Sequence, residues 1–185
     1  AKEDILVFAD SDVAFCRKFD FQSLVKEDDI RFYKKQACIS ADMEQGHYKW
    51  YKTASSLLDV PMVDFPAPDY INQLLVWRRD NAVKLCQHLE KLHQKSWIEV
   101  LSNSWDLSEY VLYGTFVDSI LKDSSGHYFE SSDICQNYYS EKALSDAEIE
   151  QFFKILPEDK VAVMLSAKAN MPVARYSKYI LDGIL

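Results

Sequence analysis

Apolar residues in this chain fall into short unbroken runs, separated by longer stretches with helical spacing. Ile5-Leu6-Val7-Phe8-Ala9 has no alternating break, which predicts a strand covered on both faces in the middle of an α/β sheet. Gln73-Leu74-Leu75-Val76-Trp77 and Lys160-Val161-Ala162-Val163-Met164-Leu165-Ser166 predict two more buried strands. Ile30 to Ile39 has β-favouring ends and basic residues within, the pattern of a half-exposed or edge strand. Helices are predicted from His47 to Val60, stopped by Pro61, and from a cap at Asp80 to about Lys95, with Val83, Cys86, Leu89 and Leu92 as its apolar face. A third begins at Asp106-Leu107-Ser108-Glu109, read as a capping box with Asp106 at the cap, and carries Leu112, Tyr113, Phe116, Val117, Ile120 and Leu121. Ser145 to Glu148 caps a fourth, and Pro172 sits in the first turn of a last helix. Val13 to Leu24 reads as a loop with a turn, the proline-rich 61–68 stretch as an extended connection, and His127 to Tyr139 as one or two short strands.

The resulting class is α/β, a mixed central sheet flanked by helices, with residues 1–185 as a single domain. Hydrophobic residues make up 48 % of the chain, which excludes disorder. Lys and Arg are outnumbered 21 to 29 by Asp and Glu, so no nucleic-acid partner is expected, because phosphate neutralisation needs a basic face. The four cysteines lie far apart and form no C-x-x-C pair, which argues against a zinc ribbon or redox motif and for reduced thiols in the cytoplasm. No apolar run is long enough to span a bilayer, and no leader pattern opens the sequence. The oligomeric state is not legible.

The chemistry gathers where the first strand ends. Asp10-Ser11-Asp12 can be a plain turn, since Asp and Ser are common turn formers. It can also be a site, because ligands in open α/β sheets lie outside the carboxyl ends of the strands. On an extended segment Asp10 and Asp12 would point the same way, offering hard oxygen ligands that hold Mg²⁺ or Mn²⁺ against a phosphate.

The strand from Ile5 to Ala9 leading into Asp10-Ser11-Asp12 resembles the Asp-X-Asp motif of GT-A-fold glycosyltransferases. The stretch Trp105 to Val117 is similar to the Ser-Glu-Tyr helix start of a bacterial group of GT-A-like proteins, and Tyr70 to Arg79 resembles the same group. This resemblance implies the C-terminal part of a GT-A-like, Rossmann-like domain, whose nucleotide-binding half would precede Ala1. Such a fragment can fold without being active. It also implies transfer of a sugar from a nucleotide-sugar donor to a glycan or other hydroxyl acceptor, with Asp10 and Asp12 holding a Mn or Mg cation that neutralises the diphosphate. Glu109 is the implied base, although it has an equally good structural reason to be there as part of a capping box. Ser11, Trp77, Arg78, Tyr110 and Tyr113 are the implied substrate contacts, with the three aromatics as a sugar wall and Arg78, beside Arg79, as a phosphate clamp. His127 is a weaker candidate for a third metal ligand, and Lys168 and Arg175 for diphosphate contacts.

Two other classes compete. In a haloacid-dehalogenase-like phosphohydrolase the Asp-X-Asp strand supplies a nucleophile and an acid, and Val163 to Ser166 with Lys168 resembles that family's second motif. It lacks the later acidic pair, since only Asp182 remains. The third class is a noncatalytic carbohydrate-binding or interaction domain.

Overall fold

The computed structural model describes residues 4–40 and 45–184 and has an α/β architecture built from several small sheets flanked by helices. In chain order the strands are β1 (Ile5–Ala9), β2 (Val13–Phe15), β3 (Val25–Lys26), β4 (Asp29–Tyr33), β5 (Lys35–Ile39), β6 (Ala67–Asp69), β7 (Leu74–Arg78), β8 (His127–Glu130), β9 (Cys135–Tyr138) and β10 (Ala162–Leu165). The α-helices are α1 (Gln45–Leu58), α2 (Arg79–His93), α3 (Trp97–Ser102), α4 (Glu109–Phe116), α5 (Asp146–Lys154) and α6 (Ser177–Ile184). Among the described residues no helix is long and apolar enough to cross a membrane.

The chain divides into two compact units. The first comprises residues 1–6, 24–71 and 76–131. In it β4 pairs antiparallel with β3 and parallel with β8, while β5 pairs antiparallel with β6. The expected single strand from Ile30 to Ile39 is thus two strands in different sheets. α1 turns Tyr51, Ala54 and Leu58 inward at helical spacing, and ends where Asp59 takes a left-handed φ of 53° ahead of Pro61. These residues pack with Phe32, Tyr70, Leu112, Tyr113 and Phe116 into one core. Gly114 is needed there for its missing side chain, since a Cβ on it would collide with the ring of Tyr70. α4 passes directly into a π-helical stretch, Val117–Leu121.

Two helix readings change in this unit. The buried face of α2 is Asn81, Leu85 and Leu89, whereas Val83 and Leu92 are exposed. Asn81 turns inward because its amide donates to the Ser125 carbonyl at 2.7 Å, a partner 44 residues away. The residue preceding α2 is Arg78, with no side-chain cap bond, and Asp80 lies within the first turn. The cap of α4 is Ser108, whose Oγ accepts from the Val111 N–H at 3.4 Å, so Asp106 lies outside the helix and Glu109 is its first residue. α3 has no counterpart in the sequence reading; Ser96 caps it.

The second unit comprises residues 7–23, 72–75 and 132–185. β10 lies between β2, which runs antiparallel to it, and β9, which runs parallel. Leu74, Cys135, Ala162 and Met164 form its core, against Val13 and Phe15. β2 was expected to be loop. Its three residues are too few to show a period, and pairing with β10 makes them a strand. α5 carries the full capping box: Ser145 Oγ accepts from Glu148 N–H at 3.3 Å, and Glu148 Oε2 accepts from Ser145 N–H at 2.7 Å. The Arg17 guanidinium donates to the carbonyls of Leu156, Pro157 and Lys160, gripping the connection from α5 to β10. The last helix is split, a 3₁₀ turn at Val173–Arg175 preceding α6.

β1 and β7 each have residues in both units. They pair antiparallel, since Arg79 N–H donates to Asp4 O at 2.9 Å and Asp10 N–H to Gln73 O at 3.2 Å. β7 is buried at Leu74, Leu75 and Val76, as its unbroken apolar run predicts. The same expectation fails for β1, where Val7 and Phe8 are 37 % and 41 % exposed. Among the described residues β1 has a single strand partner, β7, so its other edge pairs with no strand.

Candidate functional site

Asp10, Ser11 and Asp12 belong to the second unit and form the turn between β1 and β2. Val13 N–H closes this turn on Asp10 O at 3.0 Å. The two aspartates therefore do not share an extended segment, and alternation of side chains along a strand does not align them. Ser11 is exposed, and Asp10 and Asp12 are half-buried. Asp12 Oδ2 accepts from the Ala167 N–H at 3.1 Å, which joins the turn to the 3₁₀ segment Ala167–Ala169 that follows β10.

Between these two loops lies a cleft of about 310 Å³, lined by Ser11, Asp12, Ala167, Asn170, Val173 and Tyr176 among others. Burial raises the Tyr176 hydroxyl's pKa, and the Asp12 charge raises it further, so the phenol stays neutral. Lys168 is exposed on the same 3₁₀ turn. Arg175 is committed elsewhere, donating to Asp146 Oδ1 at 2.7 and 3.0 Å and to Leu144 O at 2.8 Å, so its guanidinium is occupied in holding the start of α5. The side chain of Asp182 lies outside the described ones.

Among the described residues no three His, Cys, Asp or Glu side chains gather as a metal-ligand group. The donors present are still of the right kind for a hard divalent cation. Mg²⁺ is commonly held by one or two carboxylates, with waters and substrate phosphate completing the shell. Asp12 has one oxygen fixed by a backbone amide, which would orient the other, and the cleft adjoins it. Asp12 lines the cleft and Asp10 is not among its lining residues, so a cation there would need most of its ligands from water and a bound phosphate.

The remaining site residues named from the sequence belong to the first unit. Trp77 stacks on Tyr113 with centroids 4.2 Å apart and planes within 4°, and meets Tyr110 edge-on at 6.4 Å. The sequence thus named three aromatics that do come together. Tyr113, however, is fully buried and offers no face to a sugar. Its hydroxyl oxygen accepts from the Arg78 N–H at 3.2 Å and pairs with His127 Nε2 at 2.8 Å. His127 Nδ1 lies 3.0 Å from the Ile30 carbonyl, which can only accept. Nδ1 therefore carries the proton, and Tyr113 donates to Nε2.

Burial brings the His127 pKa down to about 4, so the ring is neutral with both nitrogens engaged, and the metal-ligand reading of His127 is corrected. The Arg78 guanidinium bonds Asp80 Oδ1 at 3.2 Å and Asp28 O at 3.1 Å. Glu109 is exposed at the first position of α4. The sequence reading named Lys168 and Arg175 after β10, but not Ala167, Asn170 and Tyr176, which line the cleft. A strand end followed by Ser166, Lys168 and Asn170 was the available signal, because loops after strands are where ligands lie.

The profile of DUF6492, described as a family of unknown function, matches residues 2–164. The chain belongs to this family. In this DUF6492 protein the matched segment includes the Asp10–Asp12 turn, Trp77, Arg78, Glu109, Tyr110 and Tyr113, whereas Ala167, Asn170 and Tyr176 of the cleft lie beyond it. No curated protein and no solved structure matches the chain.

Proposed function

We propose that this DUF6492 protein is a metal-dependent glycosyltransferase, or a portion of one, that takes a nucleotide-sugar donor and a hydroxyl acceptor. The observation that carries this reading is the Asp10-Ser11-Asp12 turn at the exit of β1, facing the 310 Å³ cleft with Asp12 fixed by the Ala167 amide. A bound Mn²⁺ or Mg²⁺ would supply Lewis acidity to a diphosphate leaving group. Asp10 and Asp12 would hold it, Ser11 would offer a hydroxyl to a phosphate oxygen, and the exposed Lys168 a point charge. The base role of Glu109 and the substrate contacts of Trp77, Arg78 and Tyr110 rest on the sequence resemblance. The reaction belongs to the cytoplasm, where nucleotide sugars are made, and needs no nucleic acid.

The test is calorimetric titration of the protein with nucleoside diphosphates, with and without Mn²⁺. Binding that requires metal and is lost in Asp10→Asn with Asp12→Asn supports the proposal. Binding equal in that double variant, or release of phosphate from a generic phosphoester, overturns it.

A further inference from the structure

The first unit holds a groove of about 450 Å³ between the outer face of α1 and the loop that joins α3 to α4. Lys49, Lys52, Thr53 and Ser56 recur at three- and four-residue spacing, so they share the side of α1 opposite the buried Tyr51, Ala54 and Leu58. Trp105 and Asp106 form the facing wall, and all six side chains reach solvent. Asp106 lies 3.7 Å from the Lys49 ammonium, a loose pair with both members about half exposed. Among the described residues nothing pairs with the side chains of Lys52, Thr53 or Ser56.

Trp105 singles this groove out. It is 99 % exposed and meets no other ring among the described residues, although tryptophan is usually mostly buried. A flat apolar ring left in water beside a row of polar groups is one half of a stacking contact. The row on α1 supplies the polar half. Residues three and four apart on a helix stand about 5–6 Å apart, close to the breadth of one sugar ring, so Thr53 and Ser56 can exchange hydrogen bonds with neighbouring hydroxyls of a ring lying on the indole.

The charges narrow the ligand further. Asp106 offsets Lys49 and leaves Lys52 as the surplus cation. A neutral sugar would not use it, and a nucleoside diphosphate would set several negative charges against Asp106 in the same small space. A sugar with a single carboxylate matches the balance. We propose that this groove binds a hexuronate residue of an acidic oligosaccharide, its C–H face on Trp105 and its carboxylate on Lys52. The groove shares no residue with the Asp10–Asp12 cleft, so either reading can fail alone.

The test titrates the whole chain with the trisaccharide of galacturonic acid and, as its neutral counterpart, maltotriose, following acrylamide quenching of tryptophan fluorescence and saturation-transfer NMR. The acidic trisaccharide is expected to bind more tightly and to shield Trp105 from acrylamide. Its affinity should fall about tenfold in Trp105→Ala and in Lys52→Gln, and Lys52→Gln should no longer distinguish it from maltotriose. Both side chains stand in water, so neither variant should lower the melting temperature, and lost binding reports the groove and not the fold. The proposal is overturned if the acidic trisaccharide does not bind, if maltotriose binds as tightly, or if Trp105→Ala leaves the affinity unchanged. It is equally overturned if uridine diphosphate or phosphatidylglycerol vesicles shield Trp105 and the acidic trisaccharide does not.

Discussion

In the first unit, the side chains that look reactive are used up by the fold. His127 is held between Tyr113 and Ile30, Arg78 between Asp80 and Asp28, and Asn81 against Ser125. In the second, Asp12 is left half-exposed beside a cleft, with the Ala167 amide on its Oδ2. Both kinds of residue look alike in a sequence, since His, Arg and Asp are polar wherever they sit. What separates them is whether partners from distant parts of the chain consume their hydrogen-bonding capacity.

The first unit should therefore respond to substitution and pH as a packed interior does. Gly114→Ala should cost about 3 kcal/mol or more, because a methyl group cannot share space with the Tyr70 ring; a shift of the urea midpoint measures it. A stability loss under about 1 kcal/mol would show that α4 and Tyr70 part easily.

The next effect is set by pH. The His127 pKa in the folded protein, about 4, lies below that of an unfolded histidine, so the unfolded chain takes up the proton first as pH falls. Its contribution is complete above about pH 6.5 and is lost as pH falls from there to about 4, by roughly 3 kcal/mol. Urea midpoints between pH 7.5 and 4.5 should show that decline, and His127→Gln should flatten it. An equal slope in the variant would mean that other groups carry it.

The second unit predicts smaller numbers. Ser145→Ala should cost about 1 kcal/mol through loss of the α5 capping box. Asp10→Asn with Asp12→Asn should move stability by less than about 0.5 kcal/mol, because the turn and the acceptor for Ala167 survive. A large drop there would erase the contrast and make the acidic pair structural.

The parts legible in the sequence were those decided locally. The Ser145–Glu148 box, the stop of α1 before Pro61 and the buried runs of β7 and β10 all follow from neighbours within a few residues. The rest depended on distant partners. Asn81 reads as polar surface until Ser125 meets it, and His127 as a free ligand until Tyr113 and Ile30 take both nitrogens. β1 has the composition of a central strand, yet burial also requires neighbours, which no run of residues specifies by itself. The acidic turn was visible, but the loop completing its cleft comes from 155 residues further on.

Arg17 has a consequence for which positions can vary. Its guanidinium holds main-chain oxygens of Leu156, Pro157 and Lys160, so the identities of those three side chains matter little to the grip. Position 17 has no such latitude. A lysine there would bring one compact ammonium in place of a flat, forked group, and could not span the same arc of carbonyls.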